Sequence, residues 1–275
     1  MERISLEEHK KIMVNMLEYI DKICKENNIR YSIYSGTLLG AIRHNGFIPW
    51  DDDIDIALLR PEYEKIIKVL KENSSDKYYL LNNDIEETYF YPFSKLIDNS
   101  TILIEETSNK IKNYGVYIDI LAIDGLVKEK NNKKAIKNYK IRKKLQKRIF
   151  RYGFEPIDNN KLKRLIKKIL SFFIRKIGIK KILNDYNEFC TKISPNESDY
   201  LITNWPIFKM KTEIMDYEDF KEYDRHKFEN IEVSVFKNYH NILKKKYGNY
   251  MELPPIEARR MHSPIVYKKS DKNEK

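Results

Sequence analysis

Residues 35–56 read SGTLLGAIRHNGFIPWDDDIDI, and the fold turns on how this stretch divides. Just upstream, residues 30–35 (RYSIYS) form a β-favouring run that leads into Gly36-Thr37, a small-residue turn at the start of a helical segment. Pro49 interrupts that segment. Beyond Trp50, residues 54–58 (IDIAL) alternate in the manner of a strand half buried on one face. Side chains two apart on a strand share a face, with Cα atoms about 6.6 Å apart. Asp53 and Asp55 therefore point the same way, and Asp51 joins them if extended backbone begins early enough.

Converging carboxylates repel one another unless a proton or a cation neutralises them. Hard oxygen ligands suit Mg²⁺ or Mn²⁺, and magnesium keeps waters and is usually completed by substrate phosphates. The turn before the acids fits that chemistry. Gly36 and Thr37 offer backbone N–H groups and a hydroxyl to a phosphate at a helix start. Arg43 and His44 lie just beyond, and a guanidinium matches phosphate oxygens. The bland alternative is an acidic turn of solvated aspartates, the usual meaning of an isolated D-x-D.

Outward from this block, Ser5 and Glu8 have capping-box spacing, and Ile12, Met13, Met16, Leu17, Ile20 and Ile23 recur at helical period to about residue 26. Pro61 opens a helix carrying Tyr63, Ile66, Ile67 and Leu70. Short strands are expected at 77–82, 89–97, 101–105 and 115–121, helices over 131–152 and 160–193, a strand at 228–235 (FENIEVSV) and a helix at 238–247 stopped by Gly248. The order predicts an α/β (α+β) protein with a core at 1–127, a basic helical insert at 128–195, a C-terminal mixed lobe at 196–268 that completes the site, and a frayed tail at 269–275.

Charge is distributed unevenly. Residues 128–183 hold 21 Lys and Arg against three acids, a balance of +18, whereas the other 219 residues sum to −7. All of the net +11 lies in one segment, which implies a polyanion or an anionic surface as neighbour. Within it, residues 161–183 set Leu162, Leu165, Ile166, Ile169, Phe172, Phe173 and Ile177 at helical steps between lysines and arginines. Two readings are open. The helix lies on an anionic membrane face, or its apolar stripe packs on the domain and its lysines are solvated. No zinc-finger spacing, RNP signature or helix-turn-helix pattern accompanies it, so no nucleic acid is expected. Cys24 and Cys190 are the only cysteines, leaving neither a disulfide framework nor a cysteine zinc site. The start MERISLEEHKK lacks an apolar signal region, and no bilayer span is present, so a cytoplasmic location, with peripheral contact at the inner membrane face, is the expectation.

The block GTLLGAIRHNGFIPWDDDIDI resembles the signature of the LicD family, phosphocholine-transferase-like proteins related to the fukutin-related proteins. GVYIDILAIDG (115–125) resembles the family's second block, and FENIEVSVFKNYHNILKKKYGNYMELPPIEARRMH (228–262) its closing block. The resemblance implies a nucleotidyltransferase-type mixed sheet and a two-metal phosphotransfer site. In that pattern Gly36-Thr37 matches the phosphate turn, Asp53 and Asp55 the metal-binding pair, Asp119 the third carboxylate, and Asp51 the extended D-x-D-x-D form. Asp119 is left as metal ligand or proton acceptor, and Asp124 before Gly125 suits a turn aspartate. Lys95, Arg259 and His262 are candidate contacts to phosphate or acceptor. Trp50 and Tyr91 are candidates to stack on a base or a choline head, with core packing as the alternative.

The implied reaction moves phosphocholine or a similar phospho-alcohol from a cytidine diphosphate alcohol onto a surface glycan or its lipid-linked precursor, with Mg²⁺ or Mn²⁺. The rivals are a nucleotide-sugar glycosyltransferase using D-x-D, against which the strand–turn–helix before the acids counts, and a non-catalytic membrane-binding module built on 128–183.

Overall fold

The structure, a computed structural model, describes residues 1–104, 114–207, 209–259 and 264–269. Chain order is α1 (Leu6–Glu26), β1 (Ser32–Ile33), α2 (Ser35–His44), β2 (Asp55–Leu59), α3 (Arg60–Glu72), β3 (Tyr78–Leu81), β4 (Ser94–Asp98), β5 (Thr101–Ile104) and β6 (Tyr117–Val127). The basic segment forms α4 (Asn132–Gly153), α5 (Lys161–Ile177) and α6 (Ile179–Cys190). Then come β7 (Tyr200–Thr203), α7 (Met210–Glu213), β8 (Met215–Asp216), β9 (Tyr223–Phe228), β10 (Ile231–Phe236), α8 (Tyr239–Tyr247) and β11 (Ile265–Lys268). This is the mixed α/β architecture expected.

The main sheet runs β1-β2-β6-β4-β3, with β7 and β8 extending it from β6. Among the described residues, only β2 and β6 pair in parallel, Asp55 opposite Asp119. The other edge of β6 is shared: its first half meets β4 and its second half β7, both antiparallel. From Ile120 onward every residue of β6 is buried, which extends the strand past its expected end at 121, as happens when both sheet faces are covered. Asn204, fully buried, closes the gap between β4 and β7. Its N–H donates to Ala122 O (2.7 Å), its Oδ1 accepts from Ala122 N–H (3.1 Å) and its Nδ2 donates to Pro92 O (2.7 Å).

Several elements obey their local signals. Ser5 Oγ caps α1 by accepting from Glu8 N–H at 3.1 Å, and Met13, Met16, Leu17 and Ile20 form its buried stripe. Others differ for identifiable reasons. The strand at 30–35 shrinks to two residues because Ser35 takes φ +47° and turns the chain into α2. The strand at 89–97 starts only at Ser94, past Pro92, which offers no N–H to a ladder. The single strand at 228–235 is the second arm of a hairpin, the chain reversing at Glu229 with φ +55°. The stretch 160–193 breaks at Gly178, φ +83°.

The basic segment does not behave uniformly. Ile149 of α4 and Ile179, Ile182, Leu183 and Tyr186 of α6 enter the same core as the strands. Arg142, fully buried on α4, reaches Asp124 (3.2 Å), Gly125 O (2.8 Å) and Cys190 O (3.0 Å). Asp124 is thus no turn aspartate: it sits inside β6, paired also with Arg60 at 2.7 and 3.0 Å. α5 is the opposite case. Ser171 is its one buried residue, while Leu162, Leu165 and Phe173 stand 66%, 54% and 61% exposed.

Candidate active site

Register builds the site. Across three neighbouring strands, Asp55 of β2 lies opposite Asp119 of β6, which lies opposite Lys95 of β4, so the three occupy one level of the sheet. Residues paired this way project to the same face. Lys95 Nζ donates to Asp119 Oδ1 and stands 3.4 Å from the centroid of the Tyr117 ring. These side chains and Asp53 open into a cavity of about 570 Å³ whose wall also includes Tyr34, Ser35, Tyr91, Phe93, Trp205 and the buried pair Glu213–Lys246 (3.7 Å).

Local structure fixes Asp55 tightly. Its N–H donates to Thr37 Oγ1 (2.9 Å) and its carbonyl accepts from Tyr34 N–H (2.8 Å), tying β2 to both ends of the β1–α2 turn. Burial pushes its carboxyl well above the usual carboxylate range, and Asp53, Asp119 and Asp51 add like charge; Lys95 opposes them. Asp51 lies against the first turn of α2, where a Cβ on Gly36 would stand 2.7 Å from its Oδ2. A side chain at 36 would push the Asp51 carboxylate out of this position. Gly40 has a similar role further along: a Cβ there would meet Gly46 O at 2.4 Å, so the loop to Pro49 can fold back on α2.

Of the residues singled out in the sequence, Asp53, Asp55, Asp119, Lys95 and Tyr91 line the cavity. The others do not appear on its described wall. Thr37 is buried and spends its hydroxyl on Asp55. Arg43 donates to Tyr250 O (2.8 Å) and Glu252 O (3.2 Å), tying the segment after α8 to α2, and its Nε donates to His44 Nε2 (3.0 Å). The Arg259 guanidinium stacks 4.5 Å over Trp50, and its nearness depresses the Arg43 pKa, behind desolvation as the larger cause. These four side chains form a second cluster. His262 lies outside the described residues. Both cysteines are free and buried, and burial pushes the Cys190 thiol up to about 11, so neither is poised as a nucleophile.

Sequence reading missed the far wall. Glu213, Lys246 and Trp205 come from segments remote from the acidic block, and no spacing rule links them to it. Ser35, by contrast, carried a signal: it directly precedes the turn residues, and it holds the positive φ there.

Among the described residues, no three acidic, histidine or cysteine side chains enclose an ion by themselves. The expected four-carboxylate ligand set is not assembled as a cage: Asp51 rests on α2 and Asp119 is ion-paired with Lys95.

The family model described as LicD/FKTN/FKRP, nucleotidyltransferase domain, matches residues 28–164, the stretch that supplies Asp53, Asp55, Lys95 and Asp119. The chain carries a LicD-family domain. Its relatives include the lipopolysaccharide cholinephosphotransferase LicD of Haemophilus influenzae, 29% identical over 275 residues, covering 95% of this chain and 97% of the relative. An uncharacterized protein of Rickettsia prowazekii is 31% identical over 112 residues (41% of this chain, 39% of the relative), and one of Rickettsia typhi 36% over 73 residues (26% and 24%). The similarity to the first of these runs beyond residue 164 into the C-terminal part of the chain.

Proposed function

We propose that this chain is a metal-dependent phosphotransferase that moves phosphocholine from a cytidine diphosphate donor onto a cell-surface saccharide or its lipid-linked precursor. The observation that carries the reading is the Asp55–Asp119–Lys95 row beside Asp53 in one cavity, on a chain similar end to end to a lipopolysaccharide cholinephosphotransferase.

Asp53 and Asp55 are the residues that would hold Mg²⁺ or Mn²⁺. The mutual repulsion around Asp55 is what a cation relieves, and magnesium needs no more than one or two carboxylates when phosphates and water complete its shell. When bound there, such an ion would supply positive charge to the donor diphosphate and to the departing cytidine monophosphate. Asp119 takes the proton of the incoming acceptor hydroxyl while Lys95 balances the charge of the pair. The acceptor oxygen forms a bond to the phosphocholine phosphorus, and the bond from that phosphorus to the cytidine monophosphate oxygen breaks.

Cytidine monophosphate release from donors carrying choline, ethanolamine, glycerol or ribitol, with lipopolysaccharide or its lipid-linked precursor as acceptor, tests the reading. Release is expected with Mg²⁺ or Mn²⁺ and lost in chelator. No release from any donor, or release indifferent to chelator, overturns it.

α5 supports a membrane-side acceptor. It carries seven Lys and Arg and no acid, and its apolar face is exposed, so the packed alternative weighed from the sequence does not describe it. A second copy would set seven positive charges against seven; an anionic bilayer complements both the charge and the apolar stripe. Arg175 of α5 donates to Tyr152 O (3.2 Å) and pairs with Glu155 (2.7 Å), on either side of Phe154 in the cavity wall. No helix among the described residues is long and apolar enough to cross a membrane. Reversing Lys163, Lys167 and Lys168 to Glu is expected to lower sedimentation with phosphatidylglycerol vesicles at least about tenfold, since each base near such a surface contributes about 1 kcal/mol. Unchanged sedimentation would remove the membrane contact.

A further inference from the structure

One wall of the active cavity is built almost wholly of aromatic rings. Trp205 stands 5.8 Å from Phe93, 5.8 Å from Tyr91 and 5.0 Å from Phe150; Phe150 is 5.4 Å from Phe154, which is 6.2 Å from Tyr91. All five rings line the cavity. They come from three separate places: the β4 entry, the end of α4 and the exit of β7. The buried Asn204 joins two of these, because it bonds Pro92 beside Phe93 and immediately precedes Trp205, and Tyr186 Oη fixes its carbonyl at 2.6 Å. The third is brought in by Gly153, where a Cβ would run into the Phe90 ring at 2.3 Å. The rings are thus held at fixed positions. Phe150 remains 38% exposed at the end of a helix otherwise docked on the core.

We propose that Trp205, Phe93, Phe150, Phe154 and Tyr91 form the subsite that receives the trimethylammonium head of the donor and select phosphocholine over other phospho-alcohols. The inference rests on the transferase reading and deepens it by naming the residues that choose the donor.

The chemistry of the four candidate heads separates them. A quaternary ammonium has no N–H to satisfy, presents methyl groups to apolar surface and is attracted by the faces of aromatic rings. An ethanolamine ammonium has three N–H groups that need acceptors, and glycerol or ribitol hydroxyls need hydrogen-bond partners. Buried against ring carbons, those groups lose their water without replacement. The geometry also matches the substrate's connectivity. In phosphocholine, two carbons separate the phosphate from the nitrogen, so the two subsites must adjoin. Phe93 and Tyr91 are shared between them: Lys95 Nζ lies 5.4 and 5.6 Å from their centroids, and Trp205 packs on the same two rings.

The test measures both binding and turnover of the full chain, using donors bearing choline, ethanolamine and glycerol in the presence of Mn²⁺. Calorimetry is expected to show wild-type preference for the choline donor of about tenfold or more, the size of a desolvated cation–π contact. Trp205→Leu and the more exposed Phe150→Leu should each weaken the choline donor about tenfold and leave the glycerol donor within about twofold. Trp205→Phe, which keeps a ring, should restore most of the loss. Equal wild-type affinity for the three donors overturns the subsite, as does an unchanged choline-to-glycerol ratio in both leucine variants. Selective binding with no cytidine monophosphate released would instead sink the transferase reading and leave the subsite standing.

Discussion

Asp55→Asn is expected to reduce cytidine monophosphate release on the order of 10³-fold while the protein melts no lower than wild type in chelator at neutral pH. The loss corresponds to about 4 kcal/mol of transition-state stabilisation. It is confined to the side chain: the backbone N–H of residue 55 still reaches Thr37 Oγ1, and its carbonyl still accepts from Tyr34, so the β1–α2–β2 junction is unaltered. The stability half comes from linkage. Burial, with Asp53, Asp119 and Asp51 behind it, raises the Asp55 pKa in the native state above its unfolded value. Between those two values the native state holds more protons, so stability falls as pH rises through that window, and above the unfolded value burying this carboxyl is a cost. Asparagine removes the cost. The difference in melting temperature between variant and wild type should therefore be largest near neutral pH and shrink as the pH approaches about 4, where the wild-type carboxyl is protonated as well. Thermal melts across that range, paired with the release assay, check both halves. A variant that turns over normally sinks the metal-site reading; one that melts far below wild type makes Asp55 a structural residue.

How far this could be read from sequence varies from residue to residue. The same-face relation of Asp53 and Asp55 came from the two-residue strand period, and both line the cavity. The joining of Asp55 to Asp119 needed the parallel register of β2 and β6, which no periodicity encodes; the family resemblance supplied it in advance. Gly36 and Thr37 were legible as important, but not the Asp51 carboxylate beside the first or the Asp55 N–H on the hydroxyl of the second, because a small residue at a helix start does not encode its neighbours. Arg43 shows the limit of the argument from residue type. A guanidinium suits phosphate oxygens, yet backbone carbonyls of residues 250 and 252, more than two hundred positions away, hold this one. The charge excess in 128–183 was visible as a sum, but not its division into an α4 whose Arg142 enters the core and an α5 whose apolar face stays outside. Both helices have the same alternation of Lys with Leu and Ile, and burial depends on what they meet.

Asp124→Ala is expected to destabilise the protein by about 3–5 kcal/mol, the usual result of breaking a buried ion pair by removing one partner. Asp124 and Arg142 are fully buried, and the Arg60 side chain is 12% exposed, so two guanidiniums would be left without their carboxylate in a low-dielectric interior. Urea unfolding should show a lower midpoint with little change in slope, since the surface exposed on unfolding is nearly the same. Asp124→Asn retains volume and one acceptor and should lose somewhat less. The double variant Asp124→Ala with Arg142→Met should recover part of the loss, because the second change removes an uncompensated charge; non-additivity of this kind marks a direct pair. Recovery would be incomplete, as Arg142 also donates to Gly125 O and Cys190 O and thereby pins α4 to β6 and α6. The triad has a consequence for the cavity as well. Arg60 begins α3 directly after β2, Asp124 lies five residues beyond Asp119 on β6, and Arg142 precedes Phe150 by two turns of α4, so one buried ion cluster fixes the acidic wall relative to the aromatic one. If the two walls must be held a fixed distance apart to grip opposite ends of one donor, variants of Asp124 that still fold should raise KM for the choline donor more than they lower kcat. A purely global loss of folded protein would lower apparent kcat and leave KM alone.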